Sequence, residues 1–196
     1  MEPGGPLPGQ HRRPADRDRR RPGPPRRRLL AALRPDAVIS SDLSRTAATA
    51  AALAAVTGLD VTHDAGLRET YAGVWQGLTN AEIQERYGEE YRLWRLGEPV
   101  RRGGGELNTE VADRAVPVVL DAVKSLPEGG TLVVVSHGGT IRMAIGRLLG
   151  LDPYHWEALA GLSNCCWSVL GEGARGWRLQ EHNAGTLPEP VLGDDT

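Results

Sequence analysis

Arg45 is the first residue of the sequence whose type and position suit chemistry on an anion. It follows an apolar run at residues 37–39 and two serines, and it opens an alanine-rich stretch that predicts a helix over residues 45–57. A guanidinium in the first turn of a helix can bind an oxyanion together with the backbone N–H groups there. The alternative is a solvent-facing arginine, which is common on protein surfaces.

His137 and Gly138 form the second candidate site, directly after residues 131–136, the most apolar run of the chain. An imidazole at this position can exchange a proton near neutral pH, and a glycine lets its backbone N–H approach a phosphate. Open α/β sheets bind ligands beyond the carboxyl ends of their strands, which favours a functional histidine. The alternative is a histidine that only caps the following helix.

Glu69, in a predicted loop, is the third candidate. Tyr71 and Trp75 follow it closely in the sequence. An aromatic wall around the carboxyl group would raise its pKa by desolvation, so that Glu69 could act as a general acid near neutral pH. The alternative is an ordinary surface glutamate.

Strands and helices alternate along the chain in the order that positions such groups. The predicted strands are residues 37–41, 60–62 and 131–136, the last of which is typical of a strand buried on both faces. The predicted helices are residues 45–57, one beginning at Thr79, 108–125 and 140–149. This alternation predicts an α/β fold, a three-layer α/β/α sandwich with a mostly parallel central sheet.

Turn and cap residues complete the predicted organisation. Asp42 or Ser44 is expected to cap the first helix, and Thr79 a later one. The run Gly103-Gly104-Gly105 predicts a flexible hinge, and residues 166–179 predict a terminal hairpin. The helical insertion at residues 82–102 is expected to set substrate specificity, with Tyr91 and Trp94 lining the entrance to the site.

Charge is distributed unevenly along the sequence. Residues 1–28 hold nine arginines and seven prolines and carry a net charge of +6, whereas the rest of the chain carries −8. Residues 1–28 contain few apolar side chains, and burying them cannot offset the entropy that the segment would lose on ordering. We therefore expect residues 1–28 to be disordered and residues 188–196 to form a flexible tail. An acidic body is unlike a nucleic-acid-binding domain, which presents a basic face.

Other features argue against a metal, a cofactor or a membrane span. The two cysteines are adjacent, and in a strand they would point to opposite faces, which disfavours a disulfide or a metal site. His63, His155 and His182 lie beside no glycine turn or paired acid, and we expect them to be surface or packing residues. No apolar run approaches the roughly 20 residues of a membrane span, so we expect a cytoplasmic protein.

Three motifs, taken together and in this order, resemble the histidine phosphatase (phosphoglycerate mutase-like) superfamily. They are Ser41-Asp42-Leu43-Ser44-Arg45-Thr46, Leu67-Arg68-Glu69 with Gly73-Val74-Trp75-Gln76-Gly77, and Ser136-His137-Gly138-Gly139-Thr140-Ile141-Arg142. The resemblance covers residues 29–187, which we expect to form one domain. Gly104-Gly105-Glu106 and residues 161–167 look most like the glucosyl-3-phosphoglycerate phosphatase branch.

The resemblance implies hydrolysis of small phosphorylated metabolites through a phosphohistidine, without a cofactor or metal. By position, Arg45 would clamp the phosphoryl group, and Glu69 would protonate the leaving oxygen and later activate water. His137 would bind and stabilise the transferring group, and Gly138 would add a backbone N–H. Fixed donors can balance the charge on the phosphoryl oxygens, so such chemistry needs no metal.

The nucleophile of this superfamily lies in an Arg-His-Gly triplet after the first strand, and this sequence contains no such triplet. His11 lies in a proline-rich tract without a preceding strand and is not a substitute. Read one nucleotide forward, codons for residues 1–9 can encode Trp-Asn-Pro-x-Gly-Arg-Phe-Gln-Gly, words that the superfamily carries after its nucleophile. We therefore hypothesise that residues 1–28 are a wrong-frame translation, that the first strand is missing or scrambled, and that the chain is inactive.

Two alternative functions stay open at the level of sequence. One is a mutase that moves a phosphate within one substrate. The other is a non-catalytic protein whose arginine-rich tail binds nucleic acid or an anionic membrane, although that tail lacks aromatic residues for stacking. We expect a small phosphorylated metabolite as the partner, with neither nucleic acid nor a membrane; a homodimer is compatible with the sequence, which does not determine the oligomeric state.

Overall fold

A parallel three-stranded sheet lies at the centre of the fold, which a computed structural model describes for residues 31–185. Its strands are β1 (Ala37–Ser40), β2 (Val61–His63) and β3 (Leu132–Val135), in the order β2-β1-β3. The predicted α/β class and parallel sheet are confirmed. The predicted disordered segment 1–28 and tail 188–196 lie outside the described residues.

Helices connect and flank these strands. They are α1 (Ser44–Thr57), α2 (Asn80–Arg86), α3 (Gly88–Arg95), α4 (Asn108–Lys124) and α5 (Gly138–Leu148). An antiparallel hairpin of β4 (Trp167–Gly173) and β5 (Gly176–Ala184) follows, as predicted. None of the helices within residues 31–185 is both long and apolar enough to cross a membrane.

The register of the sheet decides which loops meet. Ser40, the last residue of β1, pairs with Val135, the last residue of β3. Parallel strands in this register end at the same edge of the sheet, so the segments after β1 and β3 begin side by side. The residues that follow these strands can therefore form one site, although some 90 positions separate them.

Helix caps show where the sequence was interpreted correctly and where it was not. Thr79 caps α2 through a capping box with Glu82, as expected. The predicted cap of α1 is wrong: Leu43 is the N-cap and no side chain caps the helix. Asp42 instead accepts a hydrogen bond from Arg68 Nε at 2.7 Å, because a guanidinium is a stronger donor for a carboxylate than a backbone N–H group.

Strand β3 is less buried than its apolar sequence predicts. All four of its residues are only partly buried. Within the described part of the chain, β3 pairs with β1 alone, so one of its edges has no strand beside it. The expectation of burial on both faces is wrong for the described structure.

The glycine run at residues 103–105 is packed rather than forming the free hinge that was predicted. Its first part forms a 3₁₀ turn, Arg102–Gly104, which lies against the 3₁₀ turn Gly73–Trp75. A Cβ on Gly73 would overlap the Gly103 carbonyl, and a Cβ on Gly105 would overlap the Tyr71 carbonyl. Glycine at these positions allows the two backbone segments to pack closely, and the prediction of a flexible hinge is wrong.

Side chains from α4, α5 and the turn after α5 form a compact core cluster of Val111, Ala112, Met143 and Trp156, all fully buried. Trp156 lies over the backbone of α5 at Gly146, and its indole N–H donates to the Leu151 carbonyl at 3.0 Å. Cys165 and Cys166 precede β4 rather than lying in a strand, and they form no disulfide.

Gly146→Ala should destabilise the protein, although alanine normally favours a helix over glycine. A Cβ on Gly146 would lie 2.5 Å from the Trp156 ring, in a fully buried contact. We expect the free energy of unfolding, measured by urea denaturation, to fall by about 1–3 kcal/mol. Gly88→Ala is the matched control, since a Cβ there meets nothing within 4 Å; a Gly146→Ala protein as stable as this control would contradict the packing.

Candidate active site

Arg45 and His137 are in direct contact at the shared edge of the sheet. Arg45 Nε donates a hydrogen bond to His137 Nδ1 at 3.1 Å, although 92 positions separate the two residues. His137 Nε2 lies 3.0 Å from Ser41 Oγ. Because Nδ1 accepts from a guanidinium, which cannot itself accept, the proton of the neutral ring is on Nε2 and is donated to Ser41.

Hydroxyl groups build the loop that presents Ser41 and Arg45. The Ser41 N–H extends the sheet by donating to the Val135 carbonyl at 2.9 Å. Thr46 Oγ1 lies 3.1 Å from the Ser41 carbonyl and 2.7 Å from the Leu43 carbonyl. The Leu43 N–H donates to Ser41 Oγ at 3.3 Å. These local bonds fix the turn between β1 and α1 and hold Arg45 in the first turn of the helix.

His137 is held in its neutral form. Its residue surface is only 6% exposed. Burial lowers the pKa of His137 below its ordinary 6.5, and the positive charge of Arg45 lowers it further, while the negative charge of Glu69 acts in the opposite direction. The site therefore pairs a permanent cation with an uncharged imidazole. A dianion bound between them would favour protonation of the ring.

Glu69 binds the N-terminus of α5, the helix that directly follows His137. Its carboxylate accepts from the Gly139 N–H at 3.4 Å and the Thr140 N–H at 3.2 Å, and it also lies 3.3 Å from Thr140 Oγ1. Free N–H groups and the helix dipole both favour a negative charge at this end. The fold therefore brings Glu69 to the same helix end as His137.

The aromatic wall predicted around Glu69 is wrong. Trp75 is buried but packs in a cluster with Tyr87, Tyr91 and Trp94. Tyr71 is 55% exposed. The Glu69 carboxylate instead accepts hydrogen bonds from backbone N–H groups and lies near the Thr140 hydroxyl, so the group lies in a polar setting.

Gly139, rather than Gly138, makes the close approach at this helix end. A Cβ on Gly139 would lie 2.6 Å from Glu69 Oε1, whereas a Cβ on Gly138 would have an ordinary 3.5 Å neighbour in the Leu162 carbonyl. Gly138 is the first residue of α5, two positions earlier than the sequence predicted. The role of its N–H in binding an anion stays a prediction.

Arg114, on α4, is a positioning residue that sequence reasoning missed. Its guanidinium donates to the backbone carbonyls of Gly66, Arg68 and Glu69, at 2.6, 2.8 and 3.2 Å. It also forms an ion pair with Glu106, at 2.7 Å, which lowers the pKa of that carboxyl group. One arginine thus fixes the loop that carries Glu69. The only signal in the sequence was Glu106, within a segment noted for its resemblance.

The insertion at residues 82–102 borders a cleft. The cleft has a volume of about 310 Å³, and Trp94, Tyr154 and Glu157 are among its lining residues. Trp94 lines this cleft, whereas Tyr91 packs into the aromatic cluster and is not a lining residue. The expected position of these two residues at the entrance to the site stays a prediction. The cleft does not include Arg45, Glu69 or His137, which carry the candidate chemistry.

The other histidines of the described chain lie elsewhere. His63 and His155 are exposed, and His182 is hydrogen-bonded to Ser168 and to the Ala160 carbonyl in the hairpin region. Within residues 31–185, no three His, Cys, Asp or Glu side chains are grouped as metal ligands.

The lowered pKa of His137 predicts a loss of stability in mild acid. Below pH 6.5 the imidazole of His137 binds a proton in the unfolded chain but not in the folded protein. The free energy of unfolding should therefore decrease as the pH decreases, with a limiting slope of about 1.4 kcal/mol per pH unit. His137→Gln should remove this part of the dependence. Urea denaturation of both proteins from pH 8 to pH 5 measures it; curves that stay parallel below pH 6.5 would contradict the buried neutral imidazole.

Comparisons with known proteins show the family of the chain. The model of the histidine phosphatase superfamily (branch 1) matches residues 26–185. The glucosyl-3-phosphoglycerate phosphatase of Mycobacterium tuberculosis is 39% identical over 171 residues, which cover 80% of this chain and 77% of that protein.

Solved structures show the same relationship. The native structure of a mycobacterial glucosyl-3-phosphoglycerate phosphatase superposes with a TM-score of 0.76 at 37% identity, covering 81% of this chain and 82% of the other. A complex of such an enzyme with inorganic phosphate has a TM-score of 0.74 at 38% identity, with the same coverage. The order of the motifs, the sheet and the sequence similarity lead to one conclusion: the chain belongs to the histidine phosphatase superfamily, branch 1.

Proposed function

We propose that the site of Arg45, Glu69 and His137 binds the phosphoryl group of a small phosphate monoester, for hydrolysis by a phosphatase. The observation that carries the proposal is the convergence of the three groups on one end of α5. Arg45 contacts His137, the residue before that helix, and Glu69 contacts its first turn. A guanidinium, an imidazole and a carboxyl group around one space can bind a tetrahedral dianion and move a proton.

The roles of the groups follow from their charges. Arg45 and protonated His137 offset the negative charge that spreads over the phosphoryl oxygens in the transition state. Glu69, when protonated, donates its proton to the leaving ester oxygen, and as a carboxylate it then accepts a proton from the attacking water. The balance of the reaction is one ester and one water converted into an alcohol and phosphate.

A phosphohistidine intermediate requires a second histidine. In that scheme its nitrogen bonds to phosphorus as the ester oxygen leaves, and water then breaks the P–N bond. The sequence offers no Arg-His-Gly triplet for this step, and both ring nitrogens of His137 are engaged by Arg45 and Ser41. We therefore propose that the chain with this sequence binds phosphate esters but turns them over poorly or not at all.

A phosphorylated glycerate is the substrate class that the relatives support. The similar mycobacterial proteins are phosphatases of glucosyl-3-phosphoglycerate. The cleft along Trp94, Tyr154 and Glu157 offers aromatic surface and a carboxylate, which suit the hydroxyl-rich part of such a molecule.

Binding of inorganic phosphate should depend on Arg45. Removing its guanidinium takes away charge-assisted hydrogen bonds, so Arg45→Gln should weaken binding by about tenfold or more in isothermal titration calorimetry. Arg175→Gln removes the same charge from the exposed turn between β4 and β5 and should leave the affinity unchanged. Equal affinities for the two variants would contradict the proposed phosphoryl site.

Turnover should depend on the segment before residue 29. The chain as printed is compared with a version whose residues 1–28 are replaced by the other-frame translation of the same DNA, extended upstream to the first strand. We expect the second protein to release phosphate from phosphoglycerates at least about 10³-fold faster, because the groups of such a site act as a unit. Equal activity of the two proteins would contradict the hypothesis that residues 1–28 are a wrong-frame translation.

Product analysis in the same assay distinguishes the two enzyme classes. Release of inorganic phosphate supports a phosphatase. Conversion between phosphoglycerate isomers without release supports a mutase and contradicts the proposal.

A further inference from the structure

Arg102 differs from its neighbour Arg101 in its side-chain partners within the described part of the chain. Arg101 forms a bidentate ion pair with Glu110, at 2.6 and 2.8 Å, and donates to the Gly105 carbonyl. Within residues 31–185, the Arg102 guanidinium has no hydrogen bond and no ion pair. It lies over the Trp94 ring, with Cζ 5.8 Å from the ring centroid. Two adjacent arginines thus have different tasks, and only that of Arg101 is structural.

The backbone around Arg102 is held firmly on both sides. The Gly103 N–H donates to Glu90 Oε1 at 2.6 Å, which ties the turn to α3. The Gly105 N–H donates to the Arg102 carbonyl at 3.0 Å, and the glycine backbone packs directly on the turn at residues 73–75. Trp94 supports the guanidinium from one face. An arginine presented in this way is preorganised, so that little entropy is lost when it binds a ligand.

The surroundings of Arg102 disfavour its positive charge. Burial lowers the pKa of Arg102, and the charge of Arg142 acts in the same direction, while the charge of Glu69 raises it. Arg142 is itself largely buried and bonds Glu157 at 2.7 Å, and its buried Nε has no hydrogen-bond partner in the described structure. A partly desolvated cation without an anion is unfavourable, and a bound anion would relieve that cost.

We propose that Arg102 binds a carboxylate of the substrate, next to the phosphate ester held by Arg45 and His137. The inference deepens the proposed function and rests on it. The glycines after Arg102 pack on the backbone of residues 71–75, which directly follows Glu69, so a ligand whose phosphate occupies the site beside Glu69 would bring a nearby substituent towards Arg102. Arg142 adds positive charge to the surroundings of Arg102, while one of its own N–H groups is paired with Glu157.

The ligand class that fits is a phosphorylated hydroxy acid. The planar fork of a guanidinium matches a carboxylate in two parallel hydrogen bonds. A hydroxymethyl group in the same place would leave the cation uncompensated. Arg102 would therefore select phosphoglycerate-type esters over phosphorylated polyols of the same size.

Calorimetric titration of the chain with three probes tests this proposal. D-3-phosphoglycerate and sn-glycerol 3-phosphate differ in one carboxylate, and inorganic phosphate lacks the carbon skeleton. We expect the chain to bind 3-phosphoglycerate at least about tenfold more tightly than glycerol 3-phosphate, which is the value of a charge-assisted hydrogen bond. Arg102→Gln should abolish that ratio while changing the affinity for inorganic phosphate by no more than about twofold.

Two further variants make the result specific. Arg86→Gln removes a charge from an exposed residue at the end of α2, outside the cleft, and should keep the ratio, which excludes a general electrostatic effect. Arg102→Lys keeps the charge and should restore only part of the ratio, because lysine lacks the planar fork. Thermal melting of each variant confirms that it is folded.

The outcomes separate the two proposals. A ratio near one in the unaltered chain, or a ratio that survives Arg102→Gln, overturns the role of Arg102 and leaves the proposed function intact. Binding of inorganic phosphate that ignores Arg45→Gln overturns the proposed function. A chain that binds none of the probes contradicts both.

Discussion

The parallel pairing of β1 with β3 is the constraint on which the site depends. Ser40 and Val135 end their strands in register, and the Ser41 N–H continues the ladder by one more hydrogen bond. Because both strands stop at the same edge, Arg45 and His137 reach each other across the gap between the two loops. A slip of the register would move every following side chain to the wrong face and separate the pair.

The site is polarised before any ligand arrives. Positive charge is concentrated in Arg45, His137 is kept neutral by burial, and Glu69 is held by the N–H groups of α5. Arg114 fixes the Glu69 loop from α4 through three carbonyls, so the position of the carboxylate depends on a helix that takes no part in the chemistry. Preorganised groups of this kind lower the cost of reorganisation when an anion binds.

Local chemistry could be predicted where it depends only on neighbouring residues. The capping box of Thr79, the apolar strands and the candidate residues Arg45, Glu69 and His137 follow from spacing and residue type. The sequence failed where distant partners compete. Asp42 pairs with Arg68 instead of capping α1, and the glycine run packs against another turn instead of flexing.

The sequence by itself determined the class of fold and the order of the motifs, and it singled out Arg45, Glu69 and His137 as candidates for a phosphoryl site, because these inferences depend on periodicity, side-chain type and family resemblance. Only the tertiary structure decided that Glu69 lies at the end of α5, that Arg114 holds the Glu69 loop, and that the Arg102 guanidinium has no hydrogen bond or ion pair within residues 31–185. The physical reason is that a charged side chain pairs with whatever the fold brings within about 3 Å, and that neighbour is set by the packing of elements far apart in the chain.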